Sequence, residues 1–402
     1  MADNKNIEYR ILTPEEKLHI ARQQRISFPF PSLDSNEEDI RGRIERGEYK
    51  SENTYGAVDE SGRVIAGMEA IPFQMWFDGN KVSMAGISGV VSLPENRRQG
   101  NIRGIFGMLF NDVYEKGAIF TNLFPFSYEY YRQFGYELCG PARRYTLPLA
   151  AARKLPNNGS AHEYIEGDSE RAALVNVYEN FASRHNIMIS RSDERWNNTF
   201  NVSLFSHERL YYWKDSGGEI KAWVKFKRDA AQMMISEIVW ADHESMLGIL
   251  QFVGMYEGAA EKMVFRSSPE LTAELYWDNP YQITMETAWM GMSRAINAKR
   301  ALELMRKPDN DGKFVIKLTD SFAKWNDDTY KVEYGGGQCA VSAGAGAGGV
   351  DIEVDERAFA QLILGVYDIR KVADAGRARI NGNRETLESV FVKKPILVTD
   401  MY

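Results

Sequence analysis

From position 101 onward, apolar residues recur at Ile102, Ile105, Phe106, Leu109, Phe110 and Val113, the i, i+3, i+4, i+7, i+8, i+11 spacing of one buried helix face. The pattern before it is different. Segments 55–58, 63–77 and 81–92 are rich in β-branched and aromatic residues and are bounded by the turn signals Ser61-Gly62 and Asp78-Gly79-Asn80, which predicts three strands. A further strand is expected at 118–124, followed by the aromatic run 126–134. Thr13-Pro14-Glu15-Glu16, a cap followed by proline and acids, predicts an earlier helix start. These elements make an α/β layer with a mainly antiparallel sheet.

A linker-like stretch, Pro156-Asn157-Asn158-Gly159-Ser160, precedes a second series of elements. A helix is expected at 171–185, strands at 209–213, 219–226 and 233–240, a helix at 244–256 and a strand at 263–266. The order echoes residues 55–124 without an equivalent phosphate-binding loop, as in a degenerate copy. After 293 the pattern shifts to a helix at 298–305, strands at 313–319, 329–334, 338–342 and 350–354, helices at 356–364 and 385–390, and an extended tail from 394 to 402. The Gly/Ala-rich stretch 344–349 reads as a flexible turn. Domains are therefore expected over 1–153, 154–292 and 293–402, in an α/β (α+β) fold.

Length and composition agree with this division. A chain of 402 residues exceeds what a single core usually supports, and 44% hydrophobic with 26% charged residues excludes disorder and fibres. The net charge of −7 gives no reason to expect nucleic acid. Cys139 and Cys339 lie far apart, and His19, His162, His185, His207 and His243 show no ligand spacing, so neither a disulfide framework nor a metal site is expected. No apolar run approaches the roughly 20 residues that span a bilayer, and the expectation is a soluble cytoplasmic protein with no membrane partner. The absence of a Gly-x-Ser-x-Gly elbow or a complete Walker motif disfavours a hydrolase or kinase.

The candidate chemistry lies at the junction between the third strand and the long helix, Val90-Val91-Ser92-Leu93-Pro94-Glu95-Asn96-Arg97-Arg98-Gln99-Gly100-Asn101-Ile102-Arg103. A strand that enters a helix through a glycine loop presents unpaired amides and the positive end of the helix dipole, which suits a pyrophosphate. Gly100 permits close backbone approach, while Arg97, Arg98 and Arg103 suit bidentate contact with phosphate oxygens. Acetyl-CoA is accordingly the expected co-substrate. Its site is assigned to Val90, Val91, Ser92, Arg97, Arg98, Gln99, Gly100, Asn101, Ile102 and Arg103, with Phe126 and Ser127.

This loop resembles the Arg/Gln-x-x-Gly-x-Gly/Ala motif of the GNAT N-acetyltransferases, with Arg97, Gly100 and Ile102 in its places. Together with Tyr131-Arg132-Gln133-Phe134-Gly135-Tyr136 and two later domains, the chain resembles the Eis (enhanced intracellular survival) branch of that family. The resemblance implies two GNAT-like domains with mainly antiparallel mixed sheets and a C-terminal sterol-carrier-protein-like domain. It also implies a homohexamer and aminoglycosides, as small polycationic amines, for substrates. By the motif Tyr131 would be the general acid that protonates the departing thiolate; the residues alone do not separate it from Tyr128, Tyr130 and Tyr136. The branch uses the terminal α-carboxylate as base, here that of Tyr402, and the apolar run 395–398 gives the tail something to bury. A backbone N–H around Val91 would polarise the acetyl carbonyl. Acids expected to meet substrate charge are Asp34, Glu37 and Asp400. Protein lysines or polyamines as substrates, and a non-catalytic ligand-binding or lipid-binding module, are the alternatives.

Overall fold

The computed structural model describes residues 7–28, 37–203, 205–344 and 349–402. Asp34 lies outside them. Three mixed sheets account for the architecture, and each has a single parallel pair of strands among the described residues.

The first sheet runs Glu8–Ile11, Thr54–Val58, Val64–Phe77, Asn80–Ser92, Phe120–Leu123, Met292–Ala295, Glu137–Leu138, with Ile189–Ser190 added beside Val64–Phe77. Helix Asn101–Glu115 connects the parallel pair, and the six apolar residues that set its period are all buried. Gly104 is required here, because a Cβ would lie 2.1 Å from the Tyr9 ring as the helix crosses the first strand.

The second sheet runs Thr284–Trp289, Pro141–Pro148, Lys262–Ser267, Gln232–Trp240, Ile220–Asp229, Glu208–Lys214, Ser160–Tyr164. It repeats the strand–helix–strand unit of the first, with helix His243–Gly254 joining its parallel pair. The third sheet, Gln338–Ser342, Asp328–Gly335, Gly312–Thr319, Ile352–Asp355, Ala378–Ile380, packs against helix Glu356–Leu364 and shares one core with Met75, Phe77 and Phe120 of the first.

The sheets exchange strands across the boundaries expected at 153 and 292. Pro141–Pro148 leaves the first region for the second sheet, and Met292–Ala295 inserts between Phe120–Leu123 and Glu137–Leu138. The inserted strand carries Arg294, which is fully buried and donates twice to Asp320 at 2.7 Å and once to the Phe134 carbonyl at 2.7 Å. One guanidinium thus ties the inserted strand, the aromatic run and the third region together. Arg294→Met would leave Asp320 charged and unpaired in the interior, which typically costs about 3–5 kcal/mol. A urea titration of the variant should show the transition moved to markedly lower denaturant; an unchanged midpoint would refute this.

The tail is anchored rather than frayed. Ile396 and Leu397 are each 2% exposed, and main-chain hydrogen bonds link Asn186 to Pro395 and Leu397 to Asn186. Asp400 completes the attachment. Its carboxylate accepts from Arg191 Nε at 2.9 Å and Nη2 at 3.0 Å, while Arg191 also holds Glu237 at 2.6 Å.

Candidate active site

The parallel strands Asn80–Ser92 and Phe120–Leu123 are in register only from Met84↔Phe120 to Ile87↔Leu123. Beyond that point the second strand ends, while the first continues to Ser92 with a register shift against Val64–Phe77. Gly89 sits in this irregular stretch at φ +62°, where a Cβ would collide with the Gln24 amide at 1.9 Å. The stretch 88–92, including Val90, Val91 and Ser92, therefore borders a gap where the pair has parted.

The loop at the head of the gap has the form the sequence predicts. A short 3-10 turn, Pro94–Asn96, leads to left-handed backbone at Arg98 (φ +61°) and Gly100 (φ +84°). A left-handed residue with a side chain costs about 1–2 kcal/mol, so Arg98 is held in this conformation by the loop around it. Gly100 is the N-cap of helix Asn101–Glu115 and supplies no side-chain cap, which leaves the first-turn amides available to a ligand. Its Cα faces open space. Arg97 and Arg98 are exposed and make no ion pair among the described residues. Gln99 is tethered to the Glu95 carbonyl at 3.0 Å and Asn101 to the Asn96 carbonyl at 3.2 Å, both within the loop. Two residues face elsewhere: Ile102 is part of the core, and the Arg103 guanidinium stacks over Phe322 at 5.0 Å.

The second copy of the unit shows why it lacks such a site. Its strand passes to its helix through Ala241 and Asp242 alone, and the Asp242 carboxylate accepts from the Ser245 amide at 2.9 Å. An acid on the helix N-terminus both satisfies the amides and repels an anion.

Tyr131 lies in helix Tyr128–Arg132, whose N-cap Ser127 accepts from the Tyr130 amide at 3.2 Å. Its ring meets Phe126, Tyr130 and Tyr136 edge-on at 5.3, 5.2 and 6.2 Å. Burial pushes its phenol well above the usual tyrosine range, and the neighbouring phenols Tyr130 and Tyr136 push the same way. The hydroxyl has no hydrogen-bond partner among the described residues. Gly135, at φ +79°, closes the motif where the Arg294 guanidinium lies 1.5 Å from where a Cβ would stand. Phe126, assigned to the cofactor side, is 64% exposed.

Tyr402 arrives from the far end of the chain. Its ring packs between Phe73 at 4.9 Å and Phe124 at 5.1 Å, directly over Gly86. Gly86 pairs with Asn122, whose Oδ1 is buried without a partner among the described residues, one position before the last in-register pair at the gap. Burial raises the Tyr402 phenol, with Tyr136 pushing the same way.

Beside Tyr402 opens a cleft of about 900 Å³ lined by Phe73, Gln74, Glu194, Arg195, Lys225 and Asp400, among others. Of the acids expected to face a polycation, Asp400 lines this cleft with its carboxylate already engaged, and Glu37 pairs within its own helix. Asp400 is 7% exposed and held by Arg191 and Arg195, and Glu37 is an exposed partner of Arg41 on helix Glu37–Glu45. Neither pairing leaves a local signal in the sequence for Arg191 or Arg195. Among the described residues no group of acids, histidines or cysteines is placed to hold a metal ion, and no helix is long and apolar enough to cross a membrane.

Comparison with known proteins places these features. Residues 8–139 match the acetyltransferase (GNAT) domain and residues 295–398 the sterol carrier protein domain. An uncharacterized N-acetyltransferase of Streptomyces griseus is 23% identical over 419 residues, covering 96% of this chain and 97% of that protein. A probable N-acyltransferase from Enterococcus faecalis has the same fold, with a TM-score of 0.84 at 19% identity over 99% of this chain and 100% of that one. Eis1 from Mycobacterium abscessus does too, with a TM-score of 0.78 at 14% identity over 98% and 100%. The chain thus carries an acetyltransferase (GNAT) domain at its head and a sterol carrier protein domain at its foot, and as a whole has the fold of Eis1.

Proposed function

We propose that the protein transfers the acetyl group of acetyl-CoA directly to a primary amine seated in the cleft beside Tyr402. What supports this reading is an uncapped helix N-terminus with free arginines at the end of the gap, the buried Tyr131 phenol, and the Tyr402 ring lying over Gly86 of the strand that borders the gap. When bound, acetyl-CoA supplies an activated acyl group and a thiolate leaving group. Arg97, Arg98 and the amides after Gly100 hold its pyrophosphate. The stretch around Val91 offers a backbone N–H to the acyl oxygen. Tyr131 gives its proton to the departing sulfur, and the terminal carboxylate of Tyr402 takes one from the attacking amine.

Aminoglycosides are the acceptor class that the family resemblance implies. The described wall of the cleft is mixed in charge, with Arg195 and Lys225 beside Glu194, which also suits an amine that carries its own acid group. A free-thiol assay over aminoglycosides, polyamines, lysyl peptides and amino acids separates these. CoA release matched by acetylated amine is expected with at least one class; no release above the hydrolytic background with any of them would refute the proposal.

A further inference from the structure

A second large cavity, of about 870 Å³, lies at the root of the tail, between the end of strand Val64–Phe77, residues 183–186, residues 306–308 and residues 389–395. It shares no residue with the loop at 97–103 or with the cleft beside Tyr402. Among the described residues its wall carries five cations, Arg184, Arg306, Lys307, Lys393 and Lys394, and one acid, Asp78. That acid is fully engaged. Its carboxylate accepts from Lys394 Nζ at 2.5 Å, the Arg306 amide at 2.7 Å and Asn186 Nδ2 at 3.3 Å. Lys393 is paired with Glu270 at 2.6 Å.

The other three cations have no ion-pair partner among the described residues. Arg184 donates to the carbonyls of Trp240 and Ala241, and Lys307 to those of Leu302 and Met305. The Arg306 side chain bonds nothing among the described residues. Carbonyl oxygens solvate a cation without neutralising it, so the wall retains an uncompensated positive charge. The effect reaches the groups themselves: burial pulls Arg184, Lys307 and Lys394 below their usual ranges, and Lys394 adds to the depression of Lys307.

We propose that this cavity is a second anion site, for a small molecule carrying two or more phosphate groups. Its volume falls in the range of about 300–1,000 Å³ usual for ligand sites. Two of its unpaired cations are arginines, which grip phosphate oxygens bidentately, and they come from different segments and so can hold separate phosphates. The ligand would contact Lys394 and Pro395, eight and seven residues before Tyr402 on the same extended tail.

Calorimetric titration of the full chain with inorganic tripolyphosphate tests this. Two sites per chain are expected, one at the loop after Gly100 that Arg98→Glu weakens, and one in this cavity that Arg306→Glu weakens at least tenfold and Arg98→Glu leaves unchanged. Arg306 is exposed and its side chain makes no bonds among the described residues, so that variant retains the fold. Arg184→Gln should weaken binding as well. Absence of binding, or binding lost in Arg98→Glu and kept in Arg306→Glu, would overturn the proposal.

Discussion

Tyr131→Phe should lower turnover by about 10²–10⁴-fold, the usual contribution of a positioned proton donor, with acetyl-CoA affinity unchanged. The substitution isolates the chemistry unusually well. The hydroxyl bonds to nothing among the described residues, so its removal leaves no orphaned partner, and the ring contacts with Phe126, Tyr130 and Tyr136 survive in phenylalanine. Folding stability should therefore stay within a few tenths of a kcal/mol, and any loss of rate belongs to the missing proton. The pKa direction adds a second readout. Because burial raises the Tyr131 phenol above its ordinary value of 10.0, the proton donor stays loaded throughout the neutral and mildly alkaline range. The rate of the unmodified enzyme should climb as the amine substrate deprotonates and should not turn down below pH 10.0. Steady-state kinetics and calorimetric titration with acetyl-CoA read both effects; wild-type turnover in Tyr131→Phe would remove Tyr131 from the mechanism. Tyr136→Phe is the informative neighbour, since it keeps the same aromatic packing and leaves the Tyr131 hydroxyl in place.

What the sequence discloses about this site divides by the range of the interactions. The helix Asn101–Glu115 and the glycine loop before it are legible because their determinants are local: a 3.6-residue period, a proline, and one glycine at a left-handed position. The strands Val64–Phe77 and Asn80–Ser92 are legible for the same reason, joined as they are by a two-residue turn. Short strands such as Glu8–Ile11 and Met292–Ala295 carry no period of their own and exist because neighbouring strands offer an edge. The ion pairs that place the tail are wholly non-local, for Arg191 and Asp400 are separated by 209 positions. A carboxylate beside a proposed catalytic terminus suggests substrate binding until its partner is known. Arg191 gives Asp400 a different task, holding the last residues in place. The glycine of the Tyr-x-x-Phe-Gly-Tyr motif likewise acquires its physical reason only with Arg294 in view.

Appending residues after Tyr402 should lower kcat by about 10²-fold or more, the usual contribution of a positioned base, while the melting temperature holds. The anchors explain the separation. Ile396 and Leu397 are buried and Asp400 is gripped by Arg191, so an extension beyond 402 leaves the attachment of the tail intact. At the tip there is less freedom. The Tyr402 ring fills the space over Gly86 between Phe73 and Phe124, so an added peptide must leave from the carboxyl carbon of a pinned residue and convert its carboxylate into a neutral amide. An ordinary α-carboxylate, with a pKa of about 3.5 against about 10 for an alkylammonium, begins some 6 units short as a base, a deficit of about 8 kcal/mol. Tyr402→Phe provides the control, because it deletes the phenol and keeps the terminal carboxylate: it should retain most of the activity that an extension abolishes. Full activity in the extended chain would assign the base elsewhere. A Tyr402→Phe variant as impaired as the extended chain would shift the role from the carboxylate to the phenol.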